Sequence, residues 1–134
     1  MGNLAEAAPL HRGDVVLVPF PFTDLTSQKV RPAIIVSPDP QTDDVLLVFV
    51  SSGIPSRPQT TEWLLTPDHP EFQATGLKGL SILKAHKLLT LHRSLVRRKL
   101  GHVGPATQSQ LDTCLRDAVG LARSSLGPGT GFPS

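Results

Sequence analysis

Arginine and serine at strand ends are well placed to hold and orient an anion, and this chain sets both types there. Arg31 opens an apolar strand just after the segment from Phe20 to Val30, so its guanidinium can project from a sheet rim. That planar fork of donors suits a phosphate. The same position also suits a rim ion pair with Asp39, Asp43 or Asp44. Ser51 and Ser52 end a second apolar strand, where alternation of side chains turns one hydroxyl toward the rim. The other role open to Ser51 is to satisfy a backbone group at the strand end. His11, His86, His92 and His102 are candidates for proton transfer by residue type. Cys114 is the only cysteine, which excludes an internal disulfide and any zinc site built on paired thiolates. No metal and no cofactor is expected.

The partner these groups would meet is indicated by charge. The formal net charge of +2 hides a strong asymmetry. Residues 1–30 carry −1, residues 31–75 carry −4, residues 76–104 carry +7 and residues 105–134 are neutral. The basic segment holds Lys78, Lys84, Lys87, Arg93, Arg97, Arg98 and Lys99 and no acid. Such a block suits a polyanion, whether RNA, DNA or an acidic protein segment, or else forms a solvated basic face. Aromatics make up only 4% of the chain and tyrosine is absent, which argues against a broad base-stacking platform.

The elements that must position these residues are short. Runs rich in Val, Ile and Leu at Asp14–Val18, Ala33–Ser37, Val45–Ser51, Glu62–Thr66, Ser81–Lys84 and Leu88–Thr90 read as strands. Thirteen prolines and the Gly, Asp and Ser between the runs suit tight turns better than long helices. The expected fold is mainly β, a small and strongly curved antiparallel sheet or barrel, with one C-terminal helix. For that helix, Thr107 with Gln110 makes a capping box, the apolar stripe Leu111, Cys114, Leu115, Ala118, Val119, Ala122 follows, and Gly127 marks the stop. Cys114 lies on that stripe and reads as a small core residue.

The expected organisation is a flexible lead-in over residues 1–11, one domain over residues 12–123 and a mobile tail over residues 124–134. The longest apolar run, Val45 to Val50, is far short of a membrane span, and the first residues lack the basic and apolar regions of a secretion signal. A cytoplasmic location is expected.

Arg12-Gly13-Asp14-Val15-Val16-Leu17-Val18-Pro19-Phe20-Pro21-Phe22-Thr23-Asp24-Leu25, followed by Lys29-Val30-Arg31-Pro32-Ala33-Ile34-Ile35-Val36-Ser37, resembles the MazF/PemK family of toxin endoribonucleases. Val48-Phe49-Val50-Ser51-Ser52, the stretch from Leu80 to Leu91 and Arg98-Lys99-Leu100-Gly101 also follow one branch of that family. The resemblance implies an SH3-like β-barrel with a C-terminal helix, a homodimer, and metal-independent cleavage of single-stranded RNA opposed by a cognate antitoxin. It also places the catalytic hydroxyl at Ser51, where Thr is usual, and marks His86 and His92 as departures from a usual Asp.

Metal-free cleavage of RNA uses the substrate's 2′-hydroxyl as nucleophile. It needs a base for that proton, donors for the charge on the phosphorane oxygens and an acid for the leaving 5′-oxygen. Arg31 fits phosphate and transition-state stabilisation, and Ser51 fits orientation of the 2′-hydroxyl or the scissile phosphate. The base is unassigned. RNA contacts are expected from Thr23, Asp24, Gln28 and Lys29 in the loop, and from Ser52, Ser81 and Lys84 across the groove. Two other functions use the same barrel: a binding module that holds nucleic acid or protein without cleavage, and a toxin that acts on a protein such as gyrase.

Overall fold

The structure, a computed structural model, describes residues 9–19, 29–37, 42–55, 57 and 59–121. The expected contacts Thr23, Asp24 and Gln28 and the expected tail over residues 124–134 lie outside them. Six strands are formed: β1 (Asp14–Pro19), β2 (Val30–Ile35), β3 (Asp44–Ser52), β4 (Glu62–Leu65), β5 (Ser81–His92) and β6 (Arg98–His102). A one-turn helix α1 (Phe72–Thr75) follows β4, and helix α2 (Pro105–Val119) follows β6. The strands make one antiparallel sheet in the order β4-β5-β3-β2-β1-β6.

Alternation along the strands divides the apolar side chains into two clusters. Val16, Val18, Ala33, Ile35, Leu47 and Phe49 pack with Leu10 and Val96 on one face, so the sheet curls around them. Val15, Ile34, Val48, Val50, Leu83 and Ala85 point the other way and receive Leu111 and Cys114 of α2. Cys114 is a buried core residue, as its place on the stripe suggests. Leu10, within the expected lead-in, is 2% exposed and belongs to the first cluster. No helix among the described residues is long and apolar enough to cross a membrane.

β5 is one long strand where the sequence suggests two. Phe49 pairs with Lys84 and the adjacent Val48 pairs with Leu88, so Ala85-His86-Lys87 form a bulge opposite a continuous β3. The polar strand β6 closes the edge beside β1 and lacks the apolar alternation that marks the others.

The start of α2 differs from the capping-box expectation. Gly104 is the N-cap and Pro105 opens the helix, while Thr107 lies buried inside the first turn. The cap comes from elsewhere in the chain: Glu71 accepts hydrogen bonds from the Ala106 amide at 2.9 Å and the Thr107 amide at 2.7 Å. A carboxylate at a helix N-terminus also meets the positive end of the helix dipole. The Thr107 side chain holds the Glu71 carboxyl below its ordinary value, helped by the two amides and His69 and opposed by desolvation. The helix ends at Gly120 in the left-handed region (φ 77°), whose amide and that of Leu121 return to the last turn, so Gly120 rather than Gly127 is the stop. Near this cap, Gly101 lets β6 lie directly against the α1 backbone, since a Cβ there would collide with the Ala74 carbonyl oxygen.

Candidate active site

β2 and β3 pair with Ala33 opposite Phe49, Ile34 opposite Val48 and Ile35 opposite Leu47. Continuing that register by two residues sets Arg31 opposite Ser51. Both side chains are half-buried, and both stand on the face that carries Ala33 and Phe49.

They separate two cavities and line each of them. The larger, about 700 Å³, is lined by Arg31, Ser51, Ser52, Lys78, Ser81 and Arg98 over an apolar floor that includes Leu17 and Val50. The smaller, about 200 Å³, is lined by Arg31, Ser51, Lys84 and Lys87 beside Phe49. Five cationic side chains thus line the two cavities with Ser51, and among the described residues no carboxylate or imidazole lines either. A site of this composition attracts and holds anions.

The other role open to Arg31, an ion pair with Asp43 or Asp44, does not form. Asp44 pairs with His92 at the far end of β3, seven residues and so about 23 Å from Ser51. Asp43 instead lies 3.9 Å from His92. Asp39 is outside the described residues.

Among the expected groove contacts, Lys84 and the exposed Ser52 stand at the cleft. Ser81 is buried and donates its hydroxyl to the Gly79 carbonyl at 2.7 Å, so it shapes the wall. Lys29 is exposed just before β2 and lines neither cavity.

The histidines lie elsewhere. His92 Nδ1 accepts from the Ser94 amide and caps the turn over Arg93–Leu95. His86 sits on the β5 bulge with Nδ1 3.0 Å from the Thr61 hydroxyl. His102 is exposed on β6 opposite Asp14, and His11 precedes β1. Among the described residues no three His, Cys, Asp or Glu side chains converge as a metal site would require.

Sequence reasoning passed over Lys78, Lys87 and Arg98 as members of the site. Their only signal was membership of the basic segment. It takes the fold to bring the turn before β5, the β5 bulge and the edge strand β6 to one rim.

Residues 11–119 match the family model of the PemK-like, MazF-like toxins of type II toxin–antitoxin systems. Among solved structures, the chain is similar to an endoribonuclease in complex with its cognate antitoxin from a mycobacterial species. That similarity has 26% identity over 85% of this chain and 98% of that one, with a TM-score of 0.66. It is also similar to another mycobacterial endoribonuclease, with 28% identity over 87% and 96% of the two chains and a TM-score of 0.65. A MazE–MazF structure from Deinococcus radiodurans shares the fold, with 21% identity over 86% and 100% of the chains and a TM-score of 0.65. No curated protein matches by sequence. The family model covers the sheet, the cationic rim and α2 alike, and the chain belongs to the PemK-like, MazF-like toxins of type II toxin–antitoxin systems.

Proposed function

We propose that the chain is an endoribonuclease toxin that cuts single-stranded RNA at short motifs without a metal, working as a homodimer and silenced by a cognate antitoxin. The observation that carries this reading is the apposition of Arg31 and Ser51 between two cavities walled by cations. The two similar mycobacterial structures are endoribonucleases, one of them bound to its antitoxin.

In the reaction the substrate's 2′-oxygen attacks the adjacent phosphorus, forming the O2′–P bond as the P–O5′ bond breaks. One proton leaves the 2′-hydroxyl and one arrives at the 5′-oxygen, leaving 2′,3′-cyclic phosphate and 5′-hydroxyl ends. Arg31 holds two phosphoryl oxygens through its fork and stabilises the charge that builds on them. Ser51, one strand away, orients the scissile group by hydrogen bonding. Lys78 and Arg98 on one side, with Lys84 and Lys87 on the other, guide the flanking phosphates. An antitoxin segment that filled this cleft would be acidic.

Incubation of wild type and Arg31→Ala with a long, weakly structured RNA in excess EDTA tests the reading. Discrete cuts by wild type alone, with cyclic phosphate and 5′-hydroxyl ends, are expected. Intact RNA with folded wild-type protein would overturn it and favour the binding module or the protein-directed toxin.

A further inference from the structure

A third cavity, about 380 Å³, lies on the outer side of Lys84 and falls within the ~300–1,000 Å³ of small-ligand sites. Arg57, Gln59, Thr61, Glu62, Lys84 and His86 line it. Lys84 also lines the small cavity beside Arg31 and Ser51, so the two spaces share a wall. The sheet register explains this. Ser51 pairs with Ile82 and Phe49 with Lys84 across β3 and β5, and Lys84 pairs with Glu62 across β5 and β4. Ser51, Lys84 and Glu62 therefore follow one another on one face, with Glu62 about 12 Å from Ser51 by strand spacing and residue rise.

Glu62 is the only carboxylate among the described residues lining these three cavities. Its Oε1 is shut off from water and receives no hydrogen bond. Lys84, directly opposite in the register, does not form an ion pair with it. A ligand in the cavity cannot reach that hidden oxygen, but the half-buried carboxylate lines the cavity and its other oxygen is not shut off, so a ligand that donates there offsets part of the cost of the desolvated charge. An ionised carboxylate only accepts. The missing partner is therefore an N–H or O–H donor, flanked by something that Lys84 and Arg57 attract. An unpaired nucleotide has both.

Resting on the endoribonuclease reading, we propose that this cavity holds one nucleotide flanking the cut and selects a base with an amino group on its Watson–Crick edge. Glu62 accepts from that amino group, while Lys84 and Arg57 hold the neighbouring phosphates. Uracil is rejected because the two carbonyls beside its single N–H face the carboxylate. Unpaired bases in single-stranded RNA expose the edge this contact reads. The Thr61–His86 contact at 3.0 Å joins two of the lining residues. Glu62 is thus a specificity-determining residue, and the cut itself stays with Arg31 and Ser51.

The test uses Glu62→Met, which keeps the unbranched length and removes both acceptor oxygens. RNA with randomised sequence around the cut is digested by both proteins and the ends are sequenced, with thermal melts to show that both are folded. Wild type should favour amino-bearing bases over uracil at one flanking position, and the variant should lose that preference by about tenfold or more while the other positions are unchanged. Identical preferences in two active proteins would overturn the proposal.

A second arm measures binding of uncleavable 2′-deoxy oligonucleotides that differ in one base. If wild type cuts no RNA, the endoribonuclease reading fails, and the binding arm still decides the pocket. Loss of base discrimination in Glu62→Met supports it and equal discrimination overturns it.

Discussion

The two ends of the β6 edge handle polar groups in opposite ways. Where β6 meets α1 and α2, every device closes the structure: Glu71 takes up two helix amides, Gly101 admits the α1 backbone, and the Thr75 hydroxyl donates to the Phe72 carbonyl. Where β6 passes β1 and the turn before β5, Arg98 and Lys78 line a cavity with no carboxylate among the described residues of its walls. One region pairs its helix amides and the Thr75 hydroxyl within the chain, and the other gathers cations at a cavity. If the cleft carries the proposed function, substitutions in the two regions should separate activity from stability.

The largest separation is expected between Arg31→Ala and Gly101→Ala. Removing the Arg31 guanidinium should lower the rate of RNA cleavage by about 10²-fold or more, since a charge-assisted donor at the reacting phosphate is lost. Its melting temperature should stay near that of wild type, because a half-buried rim side chain contributes little packing. Gly101→Ala should do the reverse. A methyl group there meets the Ala74 carbonyl oxygen and the Thr75 backbone, which cannot move without shifting α1, so a loss of about 1–3 kcal/mol in urea unfolding is expected. Cleavage per folded molecule should be retained. Equal losses of activity in both variants at a temperature where both are folded would mean that the two regions are not independent.

A smaller effect concerns how many phosphates the open region contacts. RNA affinity should fall steeply between about 50 and 200 mM salt, and Lys78→Ala or Arg98→Ala should each reduce the slope by about 0.7, the single-strand value per phosphate contact. A slope unchanged by either substitution would remove that residue from the RNA path.

The open region was more legible in the sequence than the closed one. Arg31 and Ser51 announce themselves by type and by position at the ends of apolar runs, and the register of β2 and β3 brings them together. Glu71 gave no such signal. It lies 35 residues from the amide it caps, so local spacing pointed to Thr107 and Gln110 instead. β6 was hidden for a related reason: an edge strand of Arg, Lys, Leu, Gly and His has no apolar alternation, and it came into view only through the family resemblance. Lys78, Lys87 and Arg98 could be counted as charge but not placed, because their common rim depends on the bulge in β5 and on where β6 docks.

The smallest predicted effect tests the closed region through the Glu71 carboxyl. Hydrogen bonding by Thr107 and the helix amides favours the ionised form of Glu71, so its folded-state value lies below the ordinary 4.5. A carboxyl lowered on folding contributes stability that is fully present above the unfolded value, and that stability is lost as pH falls through the folded one. Glu71→Gln keeps an oxygen that can accept from the Ala106 and Thr107 amides but lacks the charge that complements the helix N-terminus. The variant should therefore melt below wild type at neutral pH, and the gap should narrow as pH drops below about 4.5, where the wild-type carboxyl also becomes neutral. Paired thermal melts across that range measure it. A gap that stays constant into acid would show that the cap works through shape alone, and RNA cleavage at neutral pH should be the same in both proteins if the closed end supports the cleft only by staying folded.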